Sequence, residues 1–272
     1  MKAKHLQLIG IVLICCSMLL SCAGKNKPLP AAPKDPALLY TDGMVLFNKG
    51  RYKEAIAVFT RLKDYFPSDE LYAPKADLRI ADSHCFRKEY PEAITRYLEF
   101  KKRYPFHPDI PYVEYQLGIC YYRQVLSKDR DQKATEKALA AFENVTANYP
   151  DTIFAQKAQE KIIFCRRRLA ENELYIARFY LRKHKYTAVE KRASSALENY
   201  PDSGVEDQAL YYLAIALHRQ ERDSEALTPL TDLVGNYPQS EFAKPGERLF
   251  DKLKSRYVIN GYSIFANLLD LG

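Results

Sequence analysis

The chain has 272 residues, 47% of them apolar and 28% charged, which excludes a wholly disordered polymer and leaves enough length to bury a core. Only 10 residues are Gly, about half the usual share of roughly 7%, and Trp is absent; this argues against many short strands joined by tight turns and for long helices. The net charge of +7 is spread thinly and its densest run is Arg166-Arg167-Arg168, so there is no nucleic-acid-binding stripe.

Lys2 and Lys4 precede an almost uninterrupted apolar run from Leu6 to Leu20. At about 15 residues it falls short of the roughly 20 that span a bilayer, so residues 1–21 read as a secretory signal. Its end, Leu19-Leu20-Ser21-Cys22, resembles the lipobox of bacterial lipoprotein precursors. That resemblance implies cleavage before Cys22, which then carries diacylglyceryl on its thiol and an acyl chain on its amine. The plainer alternative is an ordinary signal cut near Ala23 or Gly24, with Cys22 incidental. Several acyl chains anchor stably where a single myristoyl chain does not. Ala23 stands where an Asp would resemble an inner-membrane retention signal, which implies the outer membrane. Residues 22–36 hold Pro28, Pro30, Pro33 and Pro36 among three lysines and show no apolar periodicity. They read as an extended tether, reaching some 40 Å at about 3 Å per residue.

From residue 37 to 256 one pattern repeats. Phe66-Pro67, Tyr104-Pro105, Tyr149-Pro150, Tyr200-Pro201 and Tyr237-Pro238 are each preceded, twelve residues before the Pro, by Ala55, Ala93, Ala138, Val189 and Ala226. Four residues after each of these stands Phe59, Tyr97, Phe142, Ala193 or Leu230. This is the second-helix half of a tetratricopeptide repeat (TPR), a helix–turn–helix unit. The small residue lets two backbones approach, the residue one turn on covers the same face, and Pro ends the helix. Gly43, Ala81, Ala177 and Ala214 lie twelve residues before the matching Ala or Val and mark the first helices, with Gly118 in that role in repeat 3. Tyr52, Tyr90 and Tyr186 open second helices, and Asp69, Thr152, Ser203 and Ser240 are placed to cap the helix that follows each turn. The expected fold is all-α: an α-solenoid of about five TPR-like hairpins plus a C-terminal helix to about Arg256.

The Pro-to-Pro spacings are 38, 45, 51 and 37. In repeat 3 the extra residues fall between its helices, around Arg123 to Lys133. In repeat 4 they extend the first helix upstream, to roughly Thr152–Lys183 and about 45–50 Å. Residues 257–272 form an apolar tail of unassigned role, either packed on the last repeat or binding a partner.

No catalytic constellation is present: no Gly-x-Ser-x-Gly, no phosphate-cradling Gly-rich loop, no His-Glu-x-x-His. The histidines are scattered, so no metal or other cofactor is expected beyond the covalent lipid. Asp129-Arg130-Asp131 lacks the Gly and terminal Glu of a Ca²⁺ loop. Cys85, Cys120 and Cys165 fall in first helices; an odd number cannot all pair, and they read as small buried hydrophobes.

The lipobox, the Pro-rich tether and five degenerate repeats together resemble the BamD family, lipoproteins of the outer-membrane β-barrel assembly machinery. Particular stretches carry the likeness: Arg103-Tyr104-Pro105-Phe106 with His107-Pro108, Asp129-Arg130-Asp131, and Arg168 through Ala177, Tyr186, Arg192 and Tyr200-Pro201. The resemblance implies a non-catalytic scaffold on the periplasmic face of the outer membrane. It implies docking to the POTRA domains of an Omp85-type barrel, contact with other assembly lipoproteins, and receipt of unfolded outer-membrane proteins by the N-terminal repeats. Arg192, Phe66 and Tyr186 are the partner-binding candidates it implies, Arg192 by pairing with a carboxylate on the barrel partner. The alternative is a TPR lipoprotein adaptor for division or polysaccharide export; a glycan-cleaving accessory would need carboxylates paired across a cleft.

Overall fold

A computed structural model describes residues 35–259 as eleven α-helices, with no strand among the described residues. They are α1 (Pro36–Asn48), α2 (Tyr52–Tyr65), α3 (Tyr72–Phe86), α4 (Tyr90–Arg103), α5 (Ile110–Tyr122), α6 (Lys133–Asn148), α7 (Ile153–Arg182), α8 (Tyr186–Asn199), α9 (Glu206–Arg219), α10 (Asp223–Asn236) and α11 (Ala243–Ile259). Successive helices pack on one another along the chain, giving five hairpins closed by α11. Residues 1–34, which include Cys22 and most of the tether, and residues 260–272 of the tail lie outside the described residues. Pro36, read from the sequence as the end of the tether, opens α1 instead, behind Asp35, whose carboxylate accepts from the Ala37 amide at 2.8 Å.

The repeat punctuation has a direct backbone cause. Phe66, Tyr104, Tyr149, Tyr200 and Tyr237 are the C-caps of the second helices, each with φ near −130°. A residue before Pro is driven out of the α region, so each aromatic-Pro pair stops its helix where it stands. The Thr152 hydroxyl caps α7 through the Ala155 amide, Asp69 accepts from the Tyr72 amide, and Ser240 accepts from the Phe242 amide. At Ser203 the geometry is reversed, with the Glu206 carboxylate accepting from the backbone and hydroxyl of Ser203. His107 does the same task in the second turn, its Nδ1 accepting from the Asp109 amide at 3.2 Å.

Helix crossings explain the small residues. A Cβ built on Gly43 would lie 2.5 Å from the Phe59 ring, and one on Gly118 would lie 2.5 Å from the Phe142 ring. In repeats 1 and 3 the aromatic of the second helix therefore fills the space that its own first helix leaves by lacking a side chain. Gly118→Val is expected to cost about 2–3 kcal/mol by overpacking a fully buried ring, measured by urea unfolding; a loss below 0.5 kcal/mol (roughly the scatter of surface substitutions) would contradict this packing.

In repeat 2 the aromatic is Tyr97, whose hydroxyl needs an acceptor in the core. Asp82, one residue past the crossing residue Ala81, supplies it at 2.6 Å and also accepts from the Tyr112 hydroxyl at 2.8 Å and from Arg79 at 2.5 Å. Burial pushes the Asp82 carboxyl upward against the pull of Arg79 and the two hydroxyls.

The long spacing before repeat 4 becomes one uninterrupted 30-residue helix, α7, about 45 Å long. Its two halves belong to different cores. Ala155, Ala158, Ile162, Cys165 and Leu169 pack with α6, whereas Leu174 and Ala177 pack with Val189 and Ala193 of α8 and Ala209 of α9. The first half continues the stack of repeats 1–3; the second serves as the first helix of repeat 4.

Candidate functional site

The ten-residue connection between α5 and α6 lies against α7 about two-thirds of the way along that helix, at Asn172. It is braced from within. The buried Gln132 side chain donates to the carbonyls of Ser127 and Arg130 at 2.9 and 2.8 Å and accepts from the Thr135 hydroxyl. The Asp131 carboxylate caps α6 through the Lys133 amide at 2.8 Å. The Ser127 hydroxyl beside Asp129 holds that carboxyl below its usual range, so it is ionised at neutral pH. Asn172 of α7 donates to the Lys128 carbonyl at 2.5 Å and fixes the loop to the helix.

The same stretch of α7 meets α8. Glu173 accepts two bonds from Arg192 Nη1, at 3.1 and 3.0 Å. The Arg192 side chain is 40% exposed while Glu173 is 14% exposed, and the pair uses only one of the guanidinium nitrogens. Loop, long helix and α8 thus enclose a cleft of about 520 Å³, lined by Asp129 to Lys133, Asn172, Glu173, Tyr175 and Arg192 among others. Tyr175, 48% exposed, stands at this cleft, and Phe179, 47% exposed, lies one turn further along α7. The two departures from regular spacing, the repeat-3 insertion and the lengthened α7, thus form one surface with Arg192 of α8.

Tyr186 is not part of that lining. It opens α8, half-buried, with its hydroxyl 3.0 Å from Nδ1 of His184. Phe66 turns inward as the C-cap of α2 and packs against the repeat-1 core of Leu39, Phe59 and Leu62. The most exposed of the large apolar side chains among the described residues is Phe106, 98% accessible. It stands at a second cavity, about 450 Å³, between the aromatic-Pro turns of repeats 1 and 2, with Pro67, Pro74, Tyr104, Pro105 and His107. The signal for Phe106 was an additional apolar residue immediately after Tyr104-Pro105, where the other turns carry Ser, Asp or Gln.

The cysteines differ from the sequence expectation. Cys120 and Cys85 lie with their sulfurs 3.2 Å apart, so two of the three are partners in space rather than isolated hydrophobes. Cys85 stands four residues after the crossing residue Ala81 and Cys120 two after Gly118, and the two meet at the junction of repeats 2 and 3. Cys165 is buried separately, and burial pushes its thiol up to about 12. Among the described residues no group of three or more His, Cys, Asp and Glu is placed to hold a metal, and no helix is long and apolar enough to cross a membrane.

The described residues thus form a helical-repeat scaffold that offers two recesses lined by side chains suited to binding. The profile of the YfiO family of outer membrane lipoproteins matches residues 32–225, and the chain belongs to that family, the BamD family. The outer membrane protein assembly factor BamD of Caulobacter vibrioides is 32% identical over 89% of this chain and 80% of its own length. That of Rickettsia prowazekii is 30% identical over 78% of this chain and 84% of its own. Among solved structures the chain is similar to the TPR2AB-domain:pHSP90 complex of yeast Sti1, at a TM-score of 0.45 and 12% identity, covering 82% of this chain and 86% of that one. Membership places the chain with outer-membrane-associated assembly factors, which are scaffolds and not enzymes.

Proposed function

We propose that this protein is a scaffold of the outer-membrane protein assembly complex, held to the membrane by lipid on Cys22, that docks the POTRA domains of the Omp85-type barrel through the cleft at α7. The observation that carries this reading is the convergence of the repeat-3 loop, the C-terminal half of α7 and Arg192 on one recess. A rigid loop, a half-exposed Arg and an exposed Tyr on a long helix are the residue types that concentrate binding energy at interfaces. Mixed charge around the recess, with Asp129, Asp131 and Glu173 opposite Arg130, Lys133 and Arg192, favours a folded partner of complementary pattern over a uniformly charged polymer.

The N-terminal cavity suits a different ligand. Its apolar wall of prolines and aromatics, with Arg103 and His107 at hand, fits an extended unfolded segment carrying an aromatic residue near a carboxylate. This reading makes repeats 1 and 2 the receiving end for unfolded barrel proteins. Phe106→Ala is expected to weaken binding of a barrel-terminal peptide by about tenfold in fluorescence anisotropy, with helical content unchanged because the ring is exposed.

A photo-crosslinking side chain at Tyr175 tests the docking face. It should capture the barrel protein in cells, whereas the same group at exposed Thr60 of α2 should not. Capture at neither position, or equally at both, counts against the cleft.

A further inference from the structure

We propose that Cys85 and Cys120 are a redox pair that closes to a disulfide in the mature protein, stapling the first helix of repeat 2 to the first helix of repeat 3. Their sulfurs lie 3.2 Å apart, inside the sum of two sulfur radii, and need to close by about 1 Å to reach bonding distance. The two residues are brought together by the core. Leu78 and Ala81 of α3, Tyr97 and Phe100 of α4, and Val113 and Leu117 of α5 form one buried cluster with Cys120, with Cys85 packed against it. The Tyr112–Asp82 hydrogen bond fixes α5 to α3, about one turn from Cys85 and about two turns from Cys120. A member of a family of outer membrane lipoproteins lies beyond the reducing cytosol, in a compartment where disulfides persist.

The two thiols have different access. Cys85 lines a recess of about 370 Å³ with Phe86, Tyr90, Tyr112, Gln116 and Arg123, whereas Cys120 is fully buried behind it. The hydrogen bond from Cys120, with Arg123 close by, holds the Cys85 thiol below its usual value, while that bond and burial push Cys120 up. Cys85 is therefore the attacking group. Its thiolate attacks one sulfur of an incoming disulfide, from a thiol-oxidising protein or oxidised glutathione, forming a mixed disulfide and releasing one thiolate. Cys120 gives up its proton to that thiolate and attacks the Cys85 sulfur, releasing the second. Two protein thiols are oxidised, one external disulfide is reduced to two thiols, and both protons leave with them.

The test needs no variant at first. Full-length protein extracted from membranes into excess maleimide under denaturing conditions, then digested without reductant, should yield the Cys85 and Cys120 peptides joined and Cys165 as its maleimide adduct. Recovery of Cys85 and Cys120 each singly alkylated overturns the proposal. With the reduced protein and oxidised glutathione as probe, Cys120→Ala should trap a glutathione adduct at Cys85, and Cys85→Ala should leave Cys120 unmodified. Adduct on Cys120 at an equal rate overturns the assigned order of attack, whatever the state of the wild-type pair.

Discussion

Arg192→Glu is expected to reduce recovery of the barrel partner with this protein by at least about tenfold, the effect of losing one central anchor of an interface. The substitution also places a carboxylate against Glu173, its intramolecular partner. Arg192 is 40% exposed although Glu173 is only 14% exposed, so loss of this one charged hydrogen-bonded pair, about 1.5–3 kcal/mol, should leave the repeat folded. The double variant Glu173→Arg with Arg192→Glu separates the two roles, because it restores an internal pair with the charges exchanged. On the docking account the double variant still fails to bind, since the cleft now presents the wrong sign at both positions. If the double variant binds as the wild type does, Arg192 acts only as a brace between α7 and α8, and the interface must be sought elsewhere.

The largest stability loss is expected at Asp82. Asp82→Ala leaves Arg79, Tyr97 and Tyr112 without their shared acceptor inside repeats 2 and 3, and should cost about 3–5 kcal/mol. Asp82→Asn keeps an oxygen for the tyrosines but turns amide donors toward Arg79, so its cost should be about half. Each repeat touches mainly its neighbours, so the loss should appear locally. Amide exchange should accelerate most in α3, α4 and α5, and least in α9 to α11. A loss below about 1 kcal/mol, or an even acceleration throughout the chain, would show that the cluster does not hold these repeats together.

The repeat architecture was legible because its cause is local. A pre-proline aromatic, a small crossing residue and the side chain one turn on are fixed by helix geometry within one hairpin, and their twelve-residue offset survives insertion elsewhere. The 30-residue α7 was also legible, from a stretch with neither Gly nor Pro. What escaped the sequence lies between repeats. Asp82 reads as one more charged helix residue until Tyr97 and Tyr112 are seen to converge on it from two other helices. The Arg192–Glu173 pair spans two helices and shows no helix-surface spacing. Cys85 and Cys120 face each other only because different positions on consecutive first helices meet across a repeat junction. Phe66 was a partner-contact candidate only through the family resemblance; its half-buried ring packs against the repeat-1 core, while Phe106 stands outside.

Docking to an Omp85-type barrel is the claim on which the functional reading depends. The direct measurement is to purify the tagged full-length protein from membranes in gentle detergent and quantify what accompanies it. The account predicts an Omp85-type barrel recovered in near-equal amount with the wild type and lost with Arg192→Glu. Repeated recovery of the lipoprotein without any such barrel would contradict it and favour an adaptor in division or polysaccharide export.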